Sequence, residues 1–171
     1  MTDDREGIRA RYRPTQFEVL FVAESPPANL GTFFYKRTGH IYPRTCEAFS
    51  LAGDPWSPPP SGDFLEHFQR IGCFLVDLCA VGVNVKACPR PTLDEAERRL
   101  ARTIREAKPR SIVVLLKRIE PYVRSACAME GAMERIVGTL PFPAHGHQRQ
   151  YVIGLRDILQ SPRRRAQARP L

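Results

Sequence analysis

Phe17-Glu18-Val19-Leu20-Phe21-Val22-Ala23, followed at once by Glu24-Ser25-Pro26-Pro27, is the stretch that decides the fold. The first seven residues form a β-rich apolar run of strand length. Ser25-Pro26-Pro27 ends it, because proline cannot continue a central strand. A carboxylate stranded at that break makes the segment Glu24 to Tyr35 the first place to look for chemistry.

Working outward, Gly31 and Gly39 punctuate a loop that carries Phe33, Phe34 and Tyr35, and residues 45–51 read as a short helix. Asp54 to Gly62 holds four prolines and reads as a surface loop. Phe64, Phe68 and Ile71 recur at helical spacing, and after Gly72 the run Cys73-Phe74-Leu75-Val76-Asp77-Leu78 reads as a second strand. Residues 81–91 are irregular. Thr92 followed by Glu95 has the form of a capping box, which predicts a helix starting there and stopping before Pro109. Its inward residues are Leu93, Ala96, Leu100, Ile104 and Ala107. Ser111-Ile112-Val113-Val114-Leu115-Leu116 lacks polar alternation, which suits a parallel strand covered on both faces. A helix over 119–133, a strand over 135–140, a loop over 141–147 and an amphipathic helix over 148–159 complete the chain. Strands alternating with helices predict one α/β domain, with a mostly parallel four-stranded sheet and helices on both faces. Residues 1–16 read as a polar lead-in, 17–160 as the domain and 161–171 as a basic tail.

Length and composition agree with one globular domain: 171 residues, 43% hydrophobic and 26% charged. No apolar run approaches the roughly 18 residues that a membrane span needs. The polar opening Met1-Thr2-Asp3-Asp4-Arg5 lacks the apolar region of a signal peptide, so a cytoplasmic protein without a membrane partner is expected. The cysteines Cys46, Cys73, Cys79, Cys88 and Cys127 are odd in number and none are spaced C-x-x-C. They read as reduced thiols, with Cys73 and Cys79 buried, rather than as metal or iron–sulfur ligands. The net charge is +8 and the isoelectric point is near 9.7. Such a domain attracts polyanions, nucleic acid first among them. Part of the excess lies in the tail at Arg163, Arg164, Arg165 and Arg169.

In open α/β sheets, ligands bind beyond the carboxyl ends of the strands. Three loops qualify: Glu24 to Tyr35, the end of strand two around Asp77, and His145-Gly146-His147-Gln148-Arg149. A carboxylate with a histidine can activate water and stabilise a developing anion. Aromatic rings beside them can stack on a flat substrate. Arg149, at the start of the last helix, offers a place for a phosphate. Each residue also has a plainer reading. Glu24 can serve as a cap or ion-pair partner, Asp77 as an acceptor for loop amides, and Phe33 and Phe34 as ordinary core. His145 and His147 stand in H-x-H spacing without a carboxylate nearby, so no metal is expected. His40 and His67 read as surface or loop residues without a role.

The order of these segments resembles the uracil-DNA glycosylase superfamily. Ala23-Glu24-Ser25-Pro26-Pro27 is similar to that family's first motif, and Gly31-Thr32-Phe33-Phe34 to the segment whose phenylalanine stacks on the flipped base. Residues 68–78 resemble the helix and strand that deliver the base-reading residue. Lys108-Pro109-Arg110-Ser111 is similar to the lysine-proline strand entry, and residues 141–159 to the second motif and closing helix. The resemblance covers about residues 17–160. It implies a three-layer α/β/α sandwich and a monomeric DNA glycosylase of base-excision repair without a cofactor. Such an enzyme flips a base of damaged or single-stranded DNA into a pocket. By the same resemblance Glu24 and His145 would be catalytic. Ser25, Phe33, Phe34, Asp77 and His147 would bind the base, and Pro26, Pro27, Gln148 and Arg149 would contact DNA. The pattern departs from the family at Ala23 and Pro27, where glycine is usual. It departs again at Pro143-Ala144-His145, where His-Pro-Ser is usual, and at Asp77, where asparagine is common. An ionised aspartate only accepts hydrogen bonds, so the released base stays open among uracil, hypoxanthine and bases with an exocyclic amine. The alternatives are a weakly active or non-catalytic relative that binds DNA lesions or single strands, and a hydrolase of free nucleosides or nucleotides.

Overall fold

Four five-residue strands form the sheet: β1 (Val19–Ala23), β2 (Cys73–Asp77), β3 (Ser111–Leu115) and β4 (Ile136–Leu140). They belong to a computed structural model that describes residues 4–27, 30–82 and 84–161. All neighbours are parallel, in the order β2-β1-β3-β4. The two central strands, β1 and β3, are buried along their whole length, as continuous apolar runs require. Parallel strands need long crossovers, and helices supply them. These are α1 (Arg5–Ala10), α2 (Ile41–Ala52), α3 (Phe64–Arg70), α4 (Arg90–Ala107), α5 (Glu120–Met129) and α6 (Gln148–Gln160).

The helices make two layers. On one side α2 packs along α6, tied by the Tyr151 hydroxyl and Thr45 Oγ1 at 2.8 Å. Phe21 of β1 meets Phe49 of α2 and Phe68 of α3 in the same layer. On the other side α4 packs along α5. The molecule is thus the three-layer α/β/α sandwich expected, with a sheet that is parallel throughout. The inward residues expected of α4, from Leu93 to Ala107, are all buried. No helix among the described residues is long and apolar enough to cross a membrane.

Four local readings change. First, α4 starts at Arg90 behind Pro89, so Thr92 is not its cap. Pro91 sits in the first turn, where a missing N–H costs nothing, and this lets the helix begin earlier. Second, α2 starts at Ile41 instead of residue 45, for the same reason at Pro43. Third, the lead-in folds: α1 lies within it, and Tyr12 stacks on Tyr35 at 5.6 Å. Fourth, His67 is buried, at 6% exposure, and its Nε2 lies 2.8 Å from the Trp56 carbonyl. Arg70 donates to His67 Nδ1, which makes Nε2 the protonated nitrogen. Of the basic tail, residues 162–171 lie outside the described residues. Cys73 and Cys79 are buried free thiols, as expected.

The edge of β2 is closed by a side chain. The Tyr35 hydroxyl accepts from Leu75 N at 2.8 Å and donates to Leu75 O at 3.0 Å. These backbone groups point away from β1 and would otherwise be open to another strand. Burial drives the Tyr35 phenol far above its ordinary pKa, so it stays protonated and able to donate.

Candidate functional site

From β1 the chain turns one way to β2 and later the other way to β3, so β1 and β3 flank the topological switch point. Open α/β sheets bind ligands there. Glu24 follows β1 directly, and the segment Leu116-Lys117-Arg118 follows β3. The Arg118 guanidinium grips the Glu24 carboxylate with two bonds, Nε to Oε1 at 2.8 Å and Nη2 to Oε2. Val85 N donates to Oε1 at 3.0 Å. The carboxylate hydrogen bond raises the Arg118 pKa against the opposing effect of burial. Leu116, at the exit of β3, holds φ +150°, a conformation L-residues rarely adopt. Such backbone strain costs on the order of 1–3 kcal/mol and gathers at functional sites.

Two cavities open at this end of the sheet. The larger, about 850 Å³, is lined by Glu24, Ser25, Pro26 and Pro27 from β1, Lys117 and Arg118 from β3, and Phe142, His145 and His147 from beyond β4. The smaller, about 340 Å³, is lined by Ser25, Pro27, Phe33, Phe34, His40, Asp77 and Phe142. They share Ala23, Ser25, Pro27, Ile41 and Phe142, so they adjoin. Their sizes are those of small-molecule pockets.

The expected site residues therefore divide. Glu24, Pro26, His145 and His147 line the larger cavity; Phe33, Phe34 and Asp77 line the smaller; Ser25 and Pro27 line both. Gln148 and Arg149 line neither, and the residue of α6 that reaches the larger cavity is Gln150. His145 (φ +52°) and Gly146 (φ +88°) form a left-handed turn that leaves His145 and His147 exposed. Neither imidazole is held by a hydrogen bond among the described residues. Phe33 and Phe34 are buried against Tyr35, with ring centroids 5.7 and 5.1 Å away. Asp77 is not open to solvent: Arg9 Nη2 of α1 donates to its Oδ2, and Arg99 Nη2 donates to its carbonyl at 3.0 Å. Burial pulls the Asp77 carboxyl above the usual range, and the Arg9 charge works against it.

Sequence reasoning missed Arg118, Phe142 and Arg9. The first two had a signal, since each lies just after an apolar strand, as Glu24 does. Arg9 had none, because it reaches Asp77 across 68 residues. Among the described residues no three His, Cys, Asp or Glu side chains converge as a metal site would need. No protein-family model matches the chain, and no curated protein matches it significantly.

Proposed function

We propose that the protein is a DNA glycosylase, which takes a flipped base into the cavity of Phe33, Phe34 and Asp77 and frees it by hydrolysis at Glu24. One observation carries the reading: an aromatic pocket with a polar wall adjoins a cleft that holds a fixed carboxylate, at the switch point of a parallel sheet. The base would lie against Phe33 or Phe34, with its edge toward Asp77. The sugar would remain in the larger cavity beside Glu24, and the DNA backbone would run past Lys117, Arg118, His145 and His147. That lining and the net charge of +8 suit a polyanion.

In the reaction the C1′–N bond breaks and its electron pair leaves with the base. Water adds to C1′, and its proton passes to Glu24. An ionised carboxylate has about four acceptor sites. Arg118 and Val85 occupy three of them, which leaves Oε2 one for water. His145, on the lining of the adjoining larger cavity, would donate to the departing base. Unstacking the base costs a few kcal/mol, which phosphate contacts must offset.

The test is base release from labelled oligonucleotides carrying uracil, hypoxanthine, xanthine or a G·T mismatch, followed by alkali cleavage at abasic sites. The reading expects release from at least one substrate and a roughly 10²- to 10⁴-fold loss in Glu24→Gln. Release that Glu24→Gln leaves intact removes Glu24 from the mechanism. The grip of Arg118 on Glu24 favours a second reading, a relative that binds lesions without cutting. Salt-sensitive binding with no release from any substrate would establish that one.

A further inference from the structure

Arg9 is a buried residue, 8% exposed, on a helix 68 residues from Asp77 in sequence. Its Nη2 holds Asp77 Oδ2 and its Nη1 holds Glu6. Its Cζ also lies 5.6 Å above the centre of the Phe33 ring. One side chain thus braces the two walls that would read a base, the carboxylate at its edge and the ring at its face. Asp77 marks a partition: the 340 Å³ cavity lies on one side, and a second cavity of about 220 Å³ that Arg9 lines lies on the other. Anchoring α1 would not by itself call for this arrangement. A buried ion pair is a poor anchor compared with apolar packing, and Arg9 Nε has no hydrogen-bond partner among the described residues.

We infer that Arg9 is a positioning residue whose pairing with Asp77 commits the pocket to bases that present two adjacent N–H donors, the ring N–H and exocyclic amine of a guanine-type edge. This rests on the reading of the cavity as a base pocket. A carboxylate paired with a guanidinium accepts and does not donate, and each oxygen takes two hydrogen bonds. The bond from Arg9 takes one acceptor site of Oδ2 and leaves the others, on a residue that lines the 340 Å³ cavity, for a guest. A guanine-type edge fills them with two parallel N–H bonds. Uracil sets carbonyl oxygens on both sides of its one N–H, and hypoxanthine has a bare C–H where guanine carries its amine. Those edges leave an acceptor unpaired or set oxygen against oxygen, and a site built for hydrogen bonds rejects such mismatches strongly.

The experiment titrates the full chain with 9-methylguanine, 9-methylhypoxanthine and 1-methyluracil by NMR, the methyl standing in for the sugar. The wild type should bind 9-methylguanine about tenfold or more tighter than either of the others. Asp77→Asn should abolish that ratio, Arg9→Met should bring it close to unity, and Arg9→Lys should restore part of it. Thermal melting shows which variants fold. A structural anchor alone would change the melting temperature and leave the ratio untouched. If Arg9→Met does not fold, the Asp77→Asn ratio still decides. Equal binding of all three bases, binding of none, or a ratio that survives Asp77→Asn overturns the inference. Oligonucleotide assays run in parallel, with 7-methylguanine added to the substrates because it keeps the ring N–H and exocyclic amine of guanine, separate it from the reading beneath it. Selective 9-methylguanine binding with no base release from any DNA keeps the pocket assignment and ends the glycosylase reading. Release of uracil, with 1-methyluracil bound as well as 9-methylguanine, does the reverse.

Discussion

Glu24 and Asp77 stand at the carboxyl ends of adjacent strands, and each meets an arginine, yet the two pairs live in different surroundings. Arg118 is 37% exposed over a Glu24 side chain that is 12% exposed; for Arg9 and Asp77 the figures are 9% and 7%. A pair at the mouth of a cleft is screened by water and can exchange partners, because phosphate competes well for a guanidinium. A pair out of water cannot trade: losing one member strands the other. The contrast separates a carboxylate that can be released for chemistry from one that is part of the wall.

Mutations can break or sharpen that contrast. The largest effect should come from Arg9→Met, which leaves Asp77 buried without its cation. A loss of about 3–5 kcal/mol in urea unfolding is expected. Adding Asp77→Leu should return most of it, since an apolar pair of similar volume is often no worse. Tyr35→Phe gives a neutral point of reference, for it strips the Leu75 N–H and C=O of their buried partner. It should cost about 1–3 kcal/mol, measured the same way. Arg118→Gln should cost only about 0.2–1 kcal/mol of stability. If DNA phosphate takes over the guanidinium on binding, the same variant should lower the slope of log affinity against log salt by about one. A loss of stability as large as that of Arg9→Met would erase the distinction. The smallest effect belongs to Arg37→Ala, which breaks an open pair with Asp63 and should cost at most about 1 kcal/mol. Partial burial draws the Asp63 carboxyl up, and Arg37 with the Glu66 and Leu65 amides more than reverses this, so its pKa lies below the ordinary value. Its contribution is therefore present above about pH 4 and fades as the pH falls further. Acid titration of stability should lose that component in Arg37→Ala.

The strands and their order of burial were legible because apolar runs of strand length leave little choice, as at 19–23 and 111–115. Helix starts were legible at 64, 119 and 148 to within a residue, but not at α2 and α4. Those two begin before Pro43 and Pro91, because proline is harmless in a first turn. The chemistry was half legible. Residues at the end of a strand or directly after it can be placed from sequence, which is how Asp77 and Glu24 were found. Their partners come from other turns of the fold: Arg118 was marked only by its place just after β3, and Arg9 by nothing in its local sequence. His67 was misread for the same reason: only the fold brings the Trp56 carbonyl to it.

The Tyr35 bond to the edge of β2 bears on timing. Phe33, Phe34 and Tyr35 form one short segment, and through Tyr35 it is riveted to Leu75. The conformational entropy of placing the two phenylalanines is lost once, when the chain folds, and not again at each encounter with a ligand. A flat guest meets rings already in position, and its affinity is not diminished by having to order them. The same rivet couples the pocket to the sheet margin, so fraying at the end of β2 and loosening of the aromatic wall become one event. Proton exchange at the Leu75 amide is then a clock for the opening of the pocket.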